Sequence, residues 1–235
     1  ASSLVYDFYE NGGANRVIFQ NLTLLLQNNL STNTTQNICL GSSGAAIGGD
    51  VFGTLPSGIS LAGTGYQWTY SITPTGPRIP ISGATGATFT PNSATSPFNA
   101  EGTYYIYRNT SLSSTNNVSP IPYVATLESN AATIYVTALP VATFSYTGSP
   151  YCANAANPFP TFTGGGIAGT FSSTPGLVFV STATGQVNLS LSTPGTYTVT
   201  NTIASSGGCP QVTASSTITI TAALPASVSI SANTG

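Results

Sequence analysis

Charged side chains are almost absent from this sequence of 235 residues. Three basic and five acidic residues make up 3% of it, where roughly 25% is usual for a soluble domain. Three scattered arginines and a formal net charge of −2 cannot neutralise a row of phosphates, which excludes nucleic acid as a partner. Nor is there a basic amphipathic helix that would bind an anionic lipid surface.

Long hydrophobic runs are also missing. No apolar stretch approaches the roughly 20 residues that a membrane-spanning helix needs, so we expect a chain that does not span a membrane. Ser, Thr, Asn and Gly supply the polarity in place of charge. Hydrophobic residues still make up 40% of the sequence, with Tyr and Phe at regular intervals, which is enough to fill a core and argues against disorder.

Catalytic and metal-binding groups are equally scarce. The sequence has no histidine and no lysine, so its many hydroxyl groups lack the usual activating base. The five acids are scattered, and none has the context of a paired glycosidase carboxylate. Zinc would need a second cysteine pair or histidines, and calcium would need clustered acids. We therefore predict no enzymatic activity, no cofactor and no metal.

What the chain does contain is an internal repeat. Residues 194–201 begin with a Pro-Gly turn signal and then alternate large apolar residues with hydroxyl residues, a pattern typical of a strand with one buried face. The same phrase occurs at residues 102–109. Each copy is followed by a second alternating strand that ends in a Leu-Pro joint, at 139–140 and at 224–225. The repeat predicts an all-β fold of tandem immunoglobulin-like antiparallel β-sandwich domains.

The predicted domain boundaries follow from these landmarks. Residues 17–139 form a first domain with long loops, and residues 140–224 form a second. Residues 1–16 are an N-terminal arm or the tail of a preceding domain. Residues 225–235 match the strand after the first Leu-Pro joint, so we expect them to begin a third domain of a longer polypeptide. The strands predicted most clearly are 17–27, 66–72, 102–109, 131–137, 187–191, 195–201 and 217–221.

The single tryptophan, Trp68, lies on a predicted strand between Tyr66 and Tyr70 at period two. It could be a sugar-stacking platform, or the core tryptophan that sandwich domains commonly bury on a central strand. We predict the second. The tyrosines of the two Gly-Thr-Tyr motifs, Tyr104 and Tyr197, are predicted core residues as well.

The three cysteines leave several states open. Cys152 and Cys209 lie beside turns at the two ends of the second domain, and in a secreted sandwich they could be bridged; the alternatives are two free thiols or a metal pair. We predict the Cys152–Cys209 disulfide. Cys39 occupies the position equivalent to Cys152, but the first domain has no equivalent of Cys209. Cys39 is then either a small buried apolar residue or an intermolecular link.

The combination and order of these features resemble a known family. They are the Ile-Cys-Leu-Gly-Ser motif at 38–42, the Tyr-Gln-Trp strand at 66–68, both Gly-Thr-Tyr motifs and the Gly-Gly-Cys-Pro turn at 207–210. Together they resemble the immunoglobulin-like or PKD-like repeats of very large surface adhesins of the Bacteroidota, a group that includes the gliding-motility adhesins exported by the type IX secretion system. The resemblance implies a secreted, modular, cell-surface protein whose repeats hold a binding region away from the cell.

Three functions fit the sequence. The first, which we favour, is a non-catalytic stalk or fibre segment of a cell-surface adhesin, whose partners are neighbouring repeats of the same chain or identical chains in a fibre. The second is a carbohydrate-binding module that stacks a surface polysaccharide on Trp68. The third is a filament subunit in which a terminal strand completes a neighbour's sheet. Low charge would allow such close packing of sheet edges.

Overall fold

The chain is all-β. The computed structural model describes residues 28–51, 55, 59–114 and 123–223, and within these ranges it contains strands and no helix. The immunoglobulin-like sandwich class predicted above is thus the fold of the protein. The predicted N-terminal arm, the strand at 17–27 and the start of a third domain at 225–235 lie outside the described residues.

The chain folds as two compact units made of interleaved segments. Of the described residues, the first contains those within 28–36, 45–91 and 103–134, and the second contains those within 37–44, 92–102 and 135–223. The second unit therefore includes three segments that the sequence assigned to the first domain: 37–44, 92–102 and 135–139.

The larger sheet is built around two long strands, β6 (Gly102–Ser114) and β4 (Ile59–Ser71), which pair in antiparallel fashion. The strand order is β2 (Thr35–Cys39), β8 (Ala132–Thr137), β6, β4, β5 (Ile79–Pro80), and β7 (Tyr123–Glu128) also pairs with β6. A separate antiparallel pair joins β1 (Leu30–Thr32) to β3 (Gly48–Gly49). Strands β2 and β8 each begin in the first unit and end in the second.

The second unit has a four-stranded sheet in the order β10 (Tyr151–Cys152), β16 (Val212–Thr221), β15 (Gly195–Ile203), β12 (Thr170–Ser173). Strands β15 and β16 are antiparallel over their shared length, whereas β10 runs parallel to the end of β16. Two short antiparallel pairs complete the unit: β9 (Phe144–Ser145) with β11 (Thr161–Phe162), and β13 (Phe179–Ser181) with β14 (Gln186–Val187).

The alternation of apolar and hydroxyl residues in the repeated sequence pattern separates core residues from surface residues. In β15, Tyr197 and Val199 are buried and the intervening threonines face outwards. The two buried residues belong to a core cluster with Phe171, Ile218 and Ile220. The hydroxyl of Tyr197 donates to the carbonyl oxygen of Thr193 at 2.6 Å, the short-range contact that characterises the tyrosine corner of immunoglobulin-like domains.

The strand predicted at 187–191 is shorter than its alternation suggests, because β14 ends at Val187. The side chain of Asn188 accepts a hydrogen bond from the backbone N–H of Leu191 at 3.2 Å, so the chain turns here. Asn and Ser compete for backbone groups in this way and favour turns over strands. Leu189 is buried, and Leu191 is exposed.

Candidate functional site

Trp68 is fully buried and offers no surface on which a sugar could stack. Its indole Nε1 donates to the carbonyl oxygen of Gly86 at 2.8 Å, and its ring centroid lies 5.5 Å from that of Phe89. The core interpretation of Trp68 is confirmed and the platform interpretation is wrong. Tyr104 and Tyr197, the other predicted core residues, are buried as well.

Arg108, one of the three arginines of the sequence, is a fully buried cation. Its guanidinium donates through Nε to Asn28 Oδ1 at 2.9 Å, and through its terminal nitrogens to the carbonyl oxygens of Ala87 and Asp50. The group also lies 5.0 Å from the ring centroid of Tyr66. Burial lowers the pKa of Arg108 from its usual value, while the charge of Asp50 acts in the opposite direction.

Asn201 occupies, in the second copy of the repeated sequence pattern, the position that Arg108 occupies in the first. Arg108 is six residues after Gly102, and Asn201 is six residues after Gly195. Asn201 is also fully buried, and its amide donates to the carbonyl oxygens of Ala142 and Ile167 while its Oδ1 accepts from the N–H of Gly169. At this position each repeat therefore has a buried polar side chain that bonds backbone groups of other segments, and the matching spacing is the signal that could have revealed both.

The disulfide is Cys39–Cys209, with the two Cα atoms 4.5 Å apart. The predicted Cys152–Cys209 pair is wrong, and so is the assignment of Cys39 as an unpaired buried residue or an intermolecular link. Cys152 is a free, exposed thiol.

The sheet explains why Cys152 cannot reach Cys209. Strand β10 places Cys152 opposite Thr221, at the end of β16, whereas Cys209 precedes the first residue of that strand. An extended strand rises about 3.3 Å per residue, so the length of β16 separates the two cysteines by about 30 Å. A disulfide tolerates a Cα separation of no more than about 7 Å.

We call the surroundings of the disulfide the cysteine junction: residues 37–39 of β2, Thr137 at the end of β8, Ala138 after it, and the turn 206–209. The turn is a two-residue hairpin, in which Ser206 and Cys209 exchange backbone hydrogen bonds of 3.1 and 2.9 Å. Its central glycines, Gly207 and Gly208, have φ angles of 58° and 80°, values that favour glycine. The hydroxyl of Thr137 donates to the carbonyl oxygen of Gly207 at 2.9 Å.

A second network holds Cys39 in position. The buried hydroxyl of Ser93 donates to the carbonyl oxygens of Cys39 and Ser42, each at 2.7 Å. The Ser42 hydroxyl donates to the carbonyl oxygen of Cys39 at 2.6 Å, and Leu40 N–H bonds the Thr137 carbonyl at 2.8 Å. Backbone groups and small side chains of the junction thus hold the turn in a fixed position.

The two turn glycines predict different outcomes on substitution. A Cβ on Gly208 would lie 2.2 Å from the carbonyl oxygen of Asn37, whereas a Cβ on Gly207 would meet only the Thr137 hydroxyl at 3.7 Å. We expect Gly208→Ala to raise the fraction of free Cys39 and Cys209 thiols and to lower the thermal midpoint of unfolding.

Gly207→Ala is the matched control. It carries a similar left-handed backbone penalty of about 1–2 kcal/mol without the collision. Thiol titration under native conditions, with calorimetry, compares the two variants. Equal changes in the fraction of free thiol and in the thermal midpoint for both variants would contradict the close contact between Gly208 and the Asn37 carbonyl oxygen.

The few charged groups of the described residues are dispersed. Within those ranges no three His, Cys, Asp or Glu side chains come together, and the one ion pair joins Arg78 Nε to Glu128 at 3.1 Å. The Arg78 guanidinium also lies 3.6 Å above the centroid of the Tyr107 ring. No helix long and apolar enough to cross a membrane occurs in the part of the chain that the structure describes.

Comparisons with known proteins give weak likenesses only. No protein-family model matches the sequence, and no curated protein matches it. Among solved structures, the EC1–4 segment of Drosophila N-cadherin is similar over 82% of this chain and 49% of its own, at 10% identity and a TM-score of 0.33. The N-terminal four immunoglobulin domains of Dscam1 are similar over 81% and 44%, at 15% identity and a TM-score of 0.28.

A third similar structure is a SusE-like, surface-located polysaccharide-binding protein of Bacteroides thetaiotaomicron. It covers 79% of this chain and 33% of its own, at 13% identity and a TM-score of 0.25. This chain spans about half or less of each of the three. Likenesses at this level say nothing about what the chain binds.

Proposed function

We propose that this chain is a non-catalytic structural repeat segment, a stalk or fibre, of an extracellular bacterial cell-surface adhesin. The observation that carries the proposal is the disulfide, which joins a strand of the first sequence repeat to the turn before the last strand of the second. A disulfide forms and persists in oxidising compartments outside the cytosol. Two repeats that share a covalent bond suit a protein that has to transmit force.

The disulfide changes which part of the chain can be stretched. Cys39 and Cys209 are 170 positions apart, and tension applied at the two ends of the chain passes through the S–S bond. The residues between them are shielded from that tension as long as the bond is intact. A stalk built this way stays short under load even if one of its sheets opens.

Single-molecule force spectroscopy tests the proposal. With the chain held at both ends, we expect the reduced protein to extend by about 600 Å more than the oxidised protein, because an extended residue spans at most about 3.6 Å. Cys152→Ser should leave the oxidised trace unchanged, and Cys209→Ser should give the long trace without reductant. Equal extension of oxidised and reduced protein would contradict a force-carrying role for the bond.

Surface location needs a separate measurement. An antibody raised against residues 140–223 should label intact cells of the source bacterium. Labelling only after lysis would contradict an extracellular stalk.

A filament assembled by strand addition is the second candidate, and the edge of β16 favours it. In the described residues β10 covers this edge only at Ile220 and Thr221, and no strand pairs with it between Val212 and Ile218. No charged residue occurs after Glu128 in the sequence, so the edge lacks the charges that usually block pairing with another chain.

A lysine on the open edge tests this candidate. Ser215 of β16 and Thr198 of β15 are both exposed, but β15 is paired on both sides. We expect Ser215→Lys to abolish any concentration-dependent assembly seen by sedimentation and electron microscopy, and Thr198→Lys to reduce it less. A wild-type protein that stays monomeric at high concentration would exclude this candidate.

A further inference from the structure

The backbone beside the free thiol of Cys152 repeats part of the arrangement at the cysteine junction. Cys39 is the last residue of β2 and Cys152 is the last residue of β10. The residue after each cysteine donates its N–H to the threonine carbonyl at the end of the closing strand, Leu40 to Thr137 at 2.8 Å and Ala153 to Thr221 at 3.0 Å. Alanine follows that threonine in both copies.

The surroundings of Cys39 and Cys152 differ in their hydrogen bonds and in the state of the cysteine. At the first, Thr137 donates its hydroxyl to the turn glycine, and Cys39 is bonded and buried. At the second, the Thr221 hydroxyl has two acceptors, the carbonyl oxygen of Tyr151 at 3.2 Å and the Cys152 sulfur at 3.7 Å, and Cys152 is exposed. In the described residues Cys152 thus shares with Cys39 the backbone hydrogen bond to the closing strand, but no hairpin turn is bonded to it.

We propose that Cys152 is the attachment site for the Gly-Gly-Cys turn of another repeat of this kind, and that it forms with that turn the disulfide that Cys39 forms with Cys209. This inference rests on the proposed stalk function and specifies how successive repeats are joined. The occupant must be a hairpin turn with two left-handed glycines before its cysteine. The second glycine is needed because, at the cysteine junction, a Cβ on the equivalent Gly208 would collide with the carbonyl oxygen of Asn37.

The bond forms by oxidation of two thiols. The Cys152 sulfur and the sulfur of the turn cysteine each give up one proton and one electron as the S–S bond forms. A low-molecular-weight disulfide such as oxidised glutathione accepts the two electrons and two protons and is split into two thiols.

The test is the 235-residue chain extended at its C-terminus by a second copy of residues 151–223, because residues 225–235 already correspond in sequence to residues 140–150. The extended chain is refolded with oxidised glutathione. Peptide mass spectrometry without reduction should show Cys152 linked to the Gly-Gly-Cys cysteine of the appended copy, with Cys39–Cys209 retained. Alkylation under native conditions should label Cys152 in the original chain and lose at least nine-tenths of that label in the extended chain. A Cys152 that remains alkylated to the same extent overturns the proposal.

Two variants of the extended chain sharpen the result. Alanine at the second glycine of the appended turn should restore alkylation of Cys152, whereas alanine at the first should restore less. Pairing of the appended turn cysteine with the appended copy's own equivalent of Cys152 would also overturn the proposal. An extended chain that still gains about 600 Å on reduction of Cys39–Cys209, but leaves Cys152 free, would leave the stalk function standing and reject only this linkage.

Discussion

Replacing Cys209 with serine is expected to lower the free energy of unfolding by about 5 kcal/mol. On the chain-entropy model, the bond restricts the unfolded chain according to the length of the loop it closes, and here that separation is 170 residues. The loss would be a large part of the total stability of a domain, which is commonly 5–15 kcal/mol. Denaturant unfolding, followed by far-UV circular dichroism, measures it.

The other two cysteines supply the controls. Cys39→Ser should cost as much as Cys209→Ser, and the double variant should cost little more than either, because both substitutions remove the same bond. Cys152→Ser should have almost no effect, since this side chain is exposed and forms no disulfide, and serine can still accept the hydrogen bond from Thr221. A loss with Cys152→Ser that matches Cys209→Ser, with none for Cys39→Ser, would restore the pairing that the sequence suggested.

Trp68→Ala is expected to destabilise the first unit by about 3–5 kcal/mol. The substitution empties the volume of a fully buried indole and leaves the Gly86 carbonyl without the donor that now lies 2.8 Å away. It also removes a ring 5.8 Å from the guanidinium of Arg108. Because Trp68 is the only tryptophan, the variant must be followed by circular dichroism, while the wild-type protein can be followed by fluorescence as well.

Ile72→Ala is a suitable control for Trp68→Ala. Ile72 directly follows β4 and is 70% exposed, so its truncation should change stability by no more than about 0.5 kcal/mol. A stable Trp68→Ala protein that had lost binding to a polysaccharide would contradict the buried role of the indole.

Much of the fold could be predicted because strand alternation is a local signal. The paired threonines and apolar residues of β15 and β16 indicate a half-buried strand without any knowledge of their partners. The same reasoning placed Trp68, Tyr104 and Tyr197 in the core. It overextended the strand at 187–191, where the Asn188 side chain bonds the backbone.

The cysteine pairing could not be predicted in this way, because it depends on strand order. The sequence shows that Cys152 and Cys209 both lie near turns, but not that β10 lies beside the far end of β16. The burial of Arg108 was missed for a related reason. Its partners, Asn28 and the backbone oxygens of Asp50 and Ala87, are distant in sequence, and arginine is seldom fully buried.

The buried Asn201 has a consequence for how faithfully these strands pair. Thr196 lies opposite Thr219 with their hydroxyls 3.0 Å apart, and Thr200 lies opposite Ser215 at 2.9 Å. Because hydroxyl residues recur at every second position, sliding β15 by two residues against β12 and β16 would keep the same faces buried and exposed.

Asn201 removes that ambiguity. In a slipped arrangement its amide would lose the backbone groups of Ala142, Ile167 and Gly169, and each buried polar group left unpaired costs about 1–3 kcal/mol. In a sequence with almost no charge to distinguish its strands, Asn201 thus marks the correct alignment of β15.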